Sequence, residues 1–129
     1  MRSPLGVFSK LCSLYFPQAD IYAYEPDPDS FKWLKKNSEG TRIKPYETAV
    51  LSREGLVSFK QDSYFSTVDL TGGLKVNAIS VKKVGDGKQL DLLKMDVEGS
   101  EWDILDDVSL LQRTTDFLLV YLWDILCLI

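Results

Sequence analysis

The sequence predicts an α/β fold with a mainly parallel sheet flanked by helices. Strand-like and helix-like segments alternate along most of the chain, which is typical of this class. Five apolar residues lie within 90–97, as expected for a strand that is buried on both faces: Leu90, Leu92, Leu93, Met95 and Val97. At 129 residues the chain is long enough to bury the core of one domain. We therefore expect a single domain over residues 1–129.

The other elements follow from local periodicity. Residues 6–16 place apolar side chains at helical spacing, and Pro17 favours an end to that helix. Ile21 to Glu25 is a short strand rich in aromatic and branched residues. The remaining predicted elements are a helix after Asp27, a strand over 43–51, a hairpin over 48–60, a short strand near 76–81, a helix after Ser100 and a last strand over 116–123.

Two acids, Asp96 and Glu98, stand where the central strand ends. Gly99 allows a sharp turn and Ser100 is a good N-cap, so the segment predicts a strand, an acidic turn and a helix. Ligands of open parallel sheets bind beyond the carboxyl ends of the strands, which favours ligand contact by these acids. Acids at a helix start also stabilise its positive end. Both interpretations stay open on these residues alone.

Glu25 is the second candidate, because it closes the strand that begins at Ile21. It lies 19 positions after Gly6, close to the offset at which an acid of a dinucleotide-type fold binds a ribose hydroxyl. A carboxylate has two acceptor oxygens and can hold a vicinal diol with both. A solvated acid at a strand end is the simpler interpretation of Glu25 by itself.

The composition excludes several kinds of chemistry. Histidine is absent, which removes imidazole bases and most zinc sites, so no metal site is predicted and acid–base work falls to carboxylates, lysines or tyrosines. The net charge is −4 and the basic residues are dispersed, which argues against a nucleic-acid partner. Cys12 and Cys127 lie in apolar surroundings and are predicted to be buried thiols.

The two ends of the chain predict neither a leader nor a membrane span. The first residues have no long apolar core before Asp20, unlike a signal peptide, so the compartment is unknown and cytoplasmic by default. The apolar run at 117–129 has 13 residues and contains Asp124, whereas a bilayer span needs about 20. A core strand is the better interpretation of that run.

Three stretches resemble the FkbM-type S-adenosylmethionine-dependent methyltransferases. Residues 21–37, IYAYEPDPDSFKWLKKN, look like the family's second strand with its Glu-Pro run and following helix. Residues 49–59, AVLSREGLVSF, are similar to the family's strand-then-hairpin segment. Residues 93–105, LKMDVEGSEWDIL, are close to its most specific signature, Lys-Ile-Asp-Val-Glu-Gly-Ala-Glu followed by an amphipathic helix.

The resemblance implies a Rossmann-like methyltransferase fold with S-adenosyl-L-methionine as cofactor. It assigns Glu25, followed by Pro26, to the cofactor's ribose, and Gly6 to the last glycine of the cofactor loop. Asp96 would lie beside the methyl donor, and Asp96 or Glu98 could take the acceptor's proton. The implied methyl acceptor is an oxygen of a small molecule or a glycan, and less favourably a nitrogen.

Departures from the family pattern predict a partial domain. The family's first strand should precede the first helix, but this chain begins inside the loop that follows it, with Arg2 and Pro4 where small residues are expected. The missing strand leaves three solutions: strands 20–25 and 92–97 pair directly, another segment or a second copy fills the gap, or the fold is marginal. We expect direct pairing, hence weak or no cofactor binding, and recovery when an upstream strand and loop are restored.

Two other functions remain as alternatives. A catalytically inactive, shortened homologue could act as a binding module through protein contacts. A nicotinamide-dependent oxidoreductase also places an acid on ribose, but the chain lacks a Gly-x-Gly-x-x-Gly loop. Titration with S-adenosylmethionine and with NAD would separate the three classes.

Overall fold

A computed structural model describes residues 6–60, 63–64, 73–95, 101–119 and 126–128 of the chain. Its helices and strands together form an α/β fold, and this part of the prediction is confirmed. The predicted mainly parallel sheet is not found, because among the described strand pairs three are parallel and four are antiparallel. The helices are α1 (Val7–Tyr15), α2 (Pro28–Ser38), α3 (Glu101–Asp106) and α4 (Val108–Gln112), with a short 3₁₀ segment at Val84–Gly87. The strands are β1 (Ile21–Tyr24), β2 (Ile43–Tyr46), β3 (Ala49–Leu51), β4 (Gly55–Lys60), β5 (Ser63–Tyr64), β6 (Leu74–Ser80), β7 (Leu90–Met95), β8 (Thr114–Leu119) and β9 (Leu126–Leu128).

Among the described residues, five strands form the main sheet in the order β2-β1-β9-β7-β8. The pairs β1–β2 and β7–β8 are parallel, whereas β9 is antiparallel to both of its neighbours. Pro45 is tolerated in β2 because, among the described strands, β2 lies at an edge, where a missing backbone donor costs little.

The predicted direct pairing of strands 20–25 and 92–97 is wrong, because β9 lies between them. Cys127 pairs with Ala23 of β1 on one side and with Lys94 of β7 on the other. Strand β9 therefore fills the gap left by the missing first strand. It belongs to the apolar run at 117–129, which was predicted to form a core strand. The strand predicted over 116–123 is described as Thr114–Leu119, and residues 120–125 lie outside the described part of the chain.

The second sheet has the order β3-β6-β4-β5 and corrects two further predictions. Residues 43–51 form two strands in different sheets, because the chain leaves the main sheet after Tyr46 and the Thr48 hydroxyl bonds the Asn77 carbonyl at 2.9 Å. Residues 48–60 do not form a hairpin, since β6 lies between β3 and β4. Non-local pairing with β6 therefore overrides the local turn signal at residues 52–55.

The main sheet is covered on both faces. Ile21 and Ala23 of β1 point toward α1 and α2, where they pack with Cys12 and Leu34. The alternate side chains, including Tyr22, join a larger cluster on the other face with residues of β3, β7, α3, α4 and the 3₁₀ segment. All four residues of β1 are buried, as expected for a strand covered on both sides.

Candidate functional site

The register of the main sheet brings the carboxyl ends of β1 and β7 to one edge. Cys127 of β9 faces Ala23 and Lys94, so the next residues, Tyr24 and Met95, lie at the same level. They are two strand spacings apart, roughly 9 to 10 Å. Connections leave this edge in opposite directions, from β1 to β2 and from β7 to β8, as at the switch point where α/β sheets bind ligands.

Glu25 follows β1 at this edge and is almost completely buried, with 2% of its surface exposed. Its N–H donates to the Tyr46 carbonyl at 3.0 Å, which continues the pairing with β2. Its Oε1 accepts the Asp27 N–H at 2.8 Å. The side chain is therefore folded back over the turn that leads into α2, and the interpretation of Glu25 as a solvated acid is wrong.

The turn after Glu25 is fixed by the start of α2. Pro26 is buried, and Asp27 caps the helix by accepting the Ser30 N–H at 3.0 Å and the Ser30 hydroxyl at 2.6 Å. Pro28 occupies the first helical turn, where a missing N–H costs nothing. The Glu25 carboxylate is consequently held by a rigid backbone segment.

The acids Asp96 and Glu98 lie outside the described residues, which stop at Met95 and resume at Glu101. Their roles therefore stay predictions.

Gly6, by contrast, is described and stands directly before α1 with φ +79°, a left-handed conformation that favours glycine. A Cβ added there would lie 3.1 Å from Leu34 Cδ1 of α2. Close helix packing accounts for the glycine without a ligand, and its place in a cofactor loop stays untested.

We expect Gly6→Ala to lower the free energy of unfolding by about 1 to 2 kcal/mol from its positive φ alone, with a further loss from crowding against Leu34. Gly40→Ala is the matched control, because Gly40 has φ +69° and nothing within 4 Å of an added Cβ. Urea unfolding of both variants measures the difference. A Gly6 variant no less stable than the Gly40 variant would contradict the packing role.

Three tyrosines beneath this edge were not singled out from the sequence. The rings of Tyr24 and Tyr46 stack with centroids 4.9 Å apart, and Tyr22 lies parallel to Tyr46 at 6.5 Å. The Tyr24 hydroxyl accepts the Gly85 N–H at 3.0 Å. Burial raises the pKa of Tyr24 to about 12, so the phenol stays protonated and is excluded as a base near neutral pH. Tyr22 and Tyr24 occupy alternate positions of β1, and this spacing was the sequence signal that could have placed both on one face of the strand.

The 3₁₀ segment is tied to β1 and to α4. The Tyr22 hydroxyl donates to Asp86 Oδ2 at 3.1 Å, and Asp86 has the unusual φ of +56°. Arg113 donates to the carbonyl oxygens of Val81, Val84 and Lys88 at 2.7 to 2.8 Å. This network supports the sheet from the face opposite α1 and α2. It joins residues far apart in sequence, which local patterns do not predict.

Two other reactive side chains lie on the side of the main sheet that α1 covers. Lys94 is buried within β7, with Nζ 5.4 Å from the centre of the Phe8 ring of α1. Cys12 is a buried free thiol, as predicted, and burial raises its pKa.

Within the described ranges no group of three or more His, Cys, Asp or Glu side chains could hold a metal ion. Within the same ranges no helix is long and apolar enough to cross a membrane.

An α/β sheet covered on both faces, with an acid after β1 at the switch point of the strand order, is the arrangement in which proteins of the α/β class place a ligand site. Residues 4–122 match the family model described as the methyltransferase FkbM domain. The chain therefore belongs to the FkbM methyltransferase family, and the resemblance of the three sequence stretches is confirmed.

One curated relative is the hexuronic acid methyltransferase AglP of Haloferax volcanii. It is 28% identical over 128 residues, which cover 92% of this chain and 52% of the relative. The chain thus spans about half the length of the curated relative it matches. No solved structure matches the chain.

Proposed function

We propose that residues 1–129 are part of a single, Rossmann-like methyltransferase domain that uses S-adenosyl-L-methionine to methylate an oxygen of a small molecule or glycan. The family match supports methyl transfer, and the relative's printed name favours a hexuronic acid as acceptor. The observation that carries the proposal is the position of Glu25, at the same sheet edge as the end of β7. An acid there suits a ribose diol.

The residues present fit the chemistry of this cofactor. A carboxylate offers about four acceptor positions on its two oxygens, so the bond from the Asp27 N–H is compatible with a bound hydroxyl. The fixed Glu25-Pro26-Asp27 turn would orient the carboxylate toward the ribose. Because Glu25 is only 2% exposed, the groups that cover its carboxylate have to move before the ribose reaches it.

S-adenosylmethionine would supply an activated methyl group for an in-line displacement, whose rate depends largely on alignment with the acceptor. The chain would add a carboxylate, Asp96 or Glu98, to take the proton from the acceptor hydroxyl. A hexuronic acid offers hydroxyl and carboxylate oxygens as acceptors, and only the hydroxyl needs such a base.

Calorimetric titration with S-adenosylmethionine tests the cofactor site. We expect binding weaker than the low micromolar range, because the ribose must compete with the buried arrangement around Glu25. Glu25→Ala should weaken it further by about 10- to 150-fold, corresponding to about 1.5 to 3 kcal/mol for hydrogen bonds to a charged group. Glu39→Gln, at the opposite end of α2, serves as the control.

Tight binding in the low micromolar range by the 129-residue chain would contradict the closed arrangement. Equal affinity of the Glu25 variant and the unmodified chain would remove Glu25 from the site. Acceptors are then screened by transfer of a labelled methyl group, with glucuronic acid compared against neutral sugars. No transfer to any hexuronic acid would reject that acceptor class.

A further inference from the structure

The outer surface of α1 carries an apolar stripe at helical spacing. Its residues, here called the α1 stripe, are Val7, Leu11, Leu14 and Tyr15, with exposed fractions of 40, 47, 67 and 78%. The opposite side of α1, which packs on the sheet, buries the smaller residues Ser9 and Cys12. The helix therefore turns several of its largest apolar side chains away from the core.

Two aromatic residues enlarge this surface. Phe16 directly follows α1 and is 56% exposed, and Trp33 of α2 is 58% exposed. The start of α1 lies against α2, because a Cβ added at Gly6 would be 3.7 Å from Asn37 Cβ. Trp33 precedes Asn37 by four residues and so lies on the same side of α2. Exposed side chains grouped in this way indicate an interaction surface, unlike single scattered ones.

The same two helices present a positive charge excess, although the whole chain has a net charge of −4. Lys36 places Nζ 5.6 Å from the centre of the Trp33 ring, and Lys35 is also exposed on α2. Lys10 adds a further cation on α1. The acids at the start of α2 are engaged locally, since Asp27 caps the helix and Asp29 pairs with Lys32 at 2.9 Å.

The charges decide which occupant suits this surface. A second copy would bring a second set of the same lysines against it, which repel one another. An anionic lipid surface would attract the lysines, and it would also accept exposed leucine and aromatic side chains at the boundary between headgroups and acyl chains. We propose that the outer face of α1 and α2 binds the surface of an anionic bilayer, independently of the proposed methyl transfer.

Vesicle flotation of the 129-residue chain tests the proposal. We expect it to float with vesicles of phosphatidylcholine containing about one-third phosphatidylserine, and much less with phosphatidylcholine alone. Raising the salt concentration should reduce the bound fraction, because the lysine contribution is screened.

Matched variants separate the stripe from the rest of the surface. Leu11→Ser combined with Leu14→Ser should lower vesicle affinity by about 10-fold or more. Leu56→Ser is the control, because Leu56 is also a strongly exposed leucine, at 61%, but lies on β4. Lys36→Glu should weaken binding several-fold, whereas Lys88→Glu, at an exposed site outside both helices, should not.

Circular dichroism checks that each variant is folded. If the double serine variant does not fold, the comparison of Lys36→Glu with Lys88→Glu still tests the proposal. Equal binding to neutral and anionic vesicles, or equal effects of the stripe and control variants, would overturn the proposal. Absence of vesicle binding together with a dimer that the double serine variant dissociates would also overturn it. Sedimentation velocity detects that outcome, which would assign the stripe to self-association.

Discussion

Cys127→Pro is expected to destabilise the protein by about 3 kcal/mol or more, a large part of the stability of a domain this size. Cys127 lies in β9, the central strand of the main sheet, and pairs with both β1 and β7. Proline has no N–H to donate and would leave a buried partner without its bond, so it belongs at sheet edges. Pro45 in β2 illustrates the edge position that the sheet accepts.

Urea unfolding followed by circular dichroism measures this loss, with Cys127→Ala as the control. Alanine removes the thiol but keeps the backbone donor, so the difference between the two variants reports on strand pairing. If both variants unfolded at the same urea concentration, β9 would not be holding the two halves of the main sheet together. Deletion of residues 126–129 should reproduce the proline effect, since it exposes the facing edges of β1 and β7.

Asp96→Asn is expected to reduce methyl transfer by about 100-fold or more while leaving the melting temperature nearly unchanged. Asparagine has the shape of aspartate but cannot accept the acceptor's proton. The prediction rests on the proposed function and on the sequence, in which Asp96 follows Met95, the last residue of β7. Rates with a labelled methyl donor and thermal unfolding of the same preparations provide the two measurements.

Asp91→Asn is the control for this experiment, because Asp91 is exposed near the other end of β7. A marked loss of stability in Asp96→Asn with an unchanged rate would support the alternative that Asp96 serves only the start of the following helix. If the rate fell only when Glu98 was replaced by glutamine, the proton acceptor would be Glu98.

Only part of the proposed cofactor site could be predicted from local sequence. The strand before Glu25 and the helix after Asp27 depend on local sequence, and both predictions are confirmed. The burial of Glu25 and its bond to the Asp27 N–H were not predicted. Burial depends on elements distant in sequence, so a strand-end position by itself did not reveal it.

For helix α1 too, the sequence predicted the element but not how it packs. Its apolar spacing predicted a helix over residues 6–16, and Val7–Tyr15 is helical. The periodicity did not reveal which face packs on the sheet. Ser9 and Cys12 face inward, because the close approach of α1 to the sheet and to α2 suits small side chains, and the larger residues of the α1 stripe remain outside.

By itself the sequence determined the α/β class, the helices α1 and α2, the buried strands β1 and β7, and the acids that follow those strands. Each of these depends on periodicity or turn chemistry within about ten residues. Only the tertiary structure decided that β9 lies between β1 and β7, that β6 separates β3 from β4, and that residues 43–51 divide between two sheets. Strand pairing satisfies backbone groups of segments far apart in the chain, and a three-residue strand such as β9 is too short for periodicity to assign its partners.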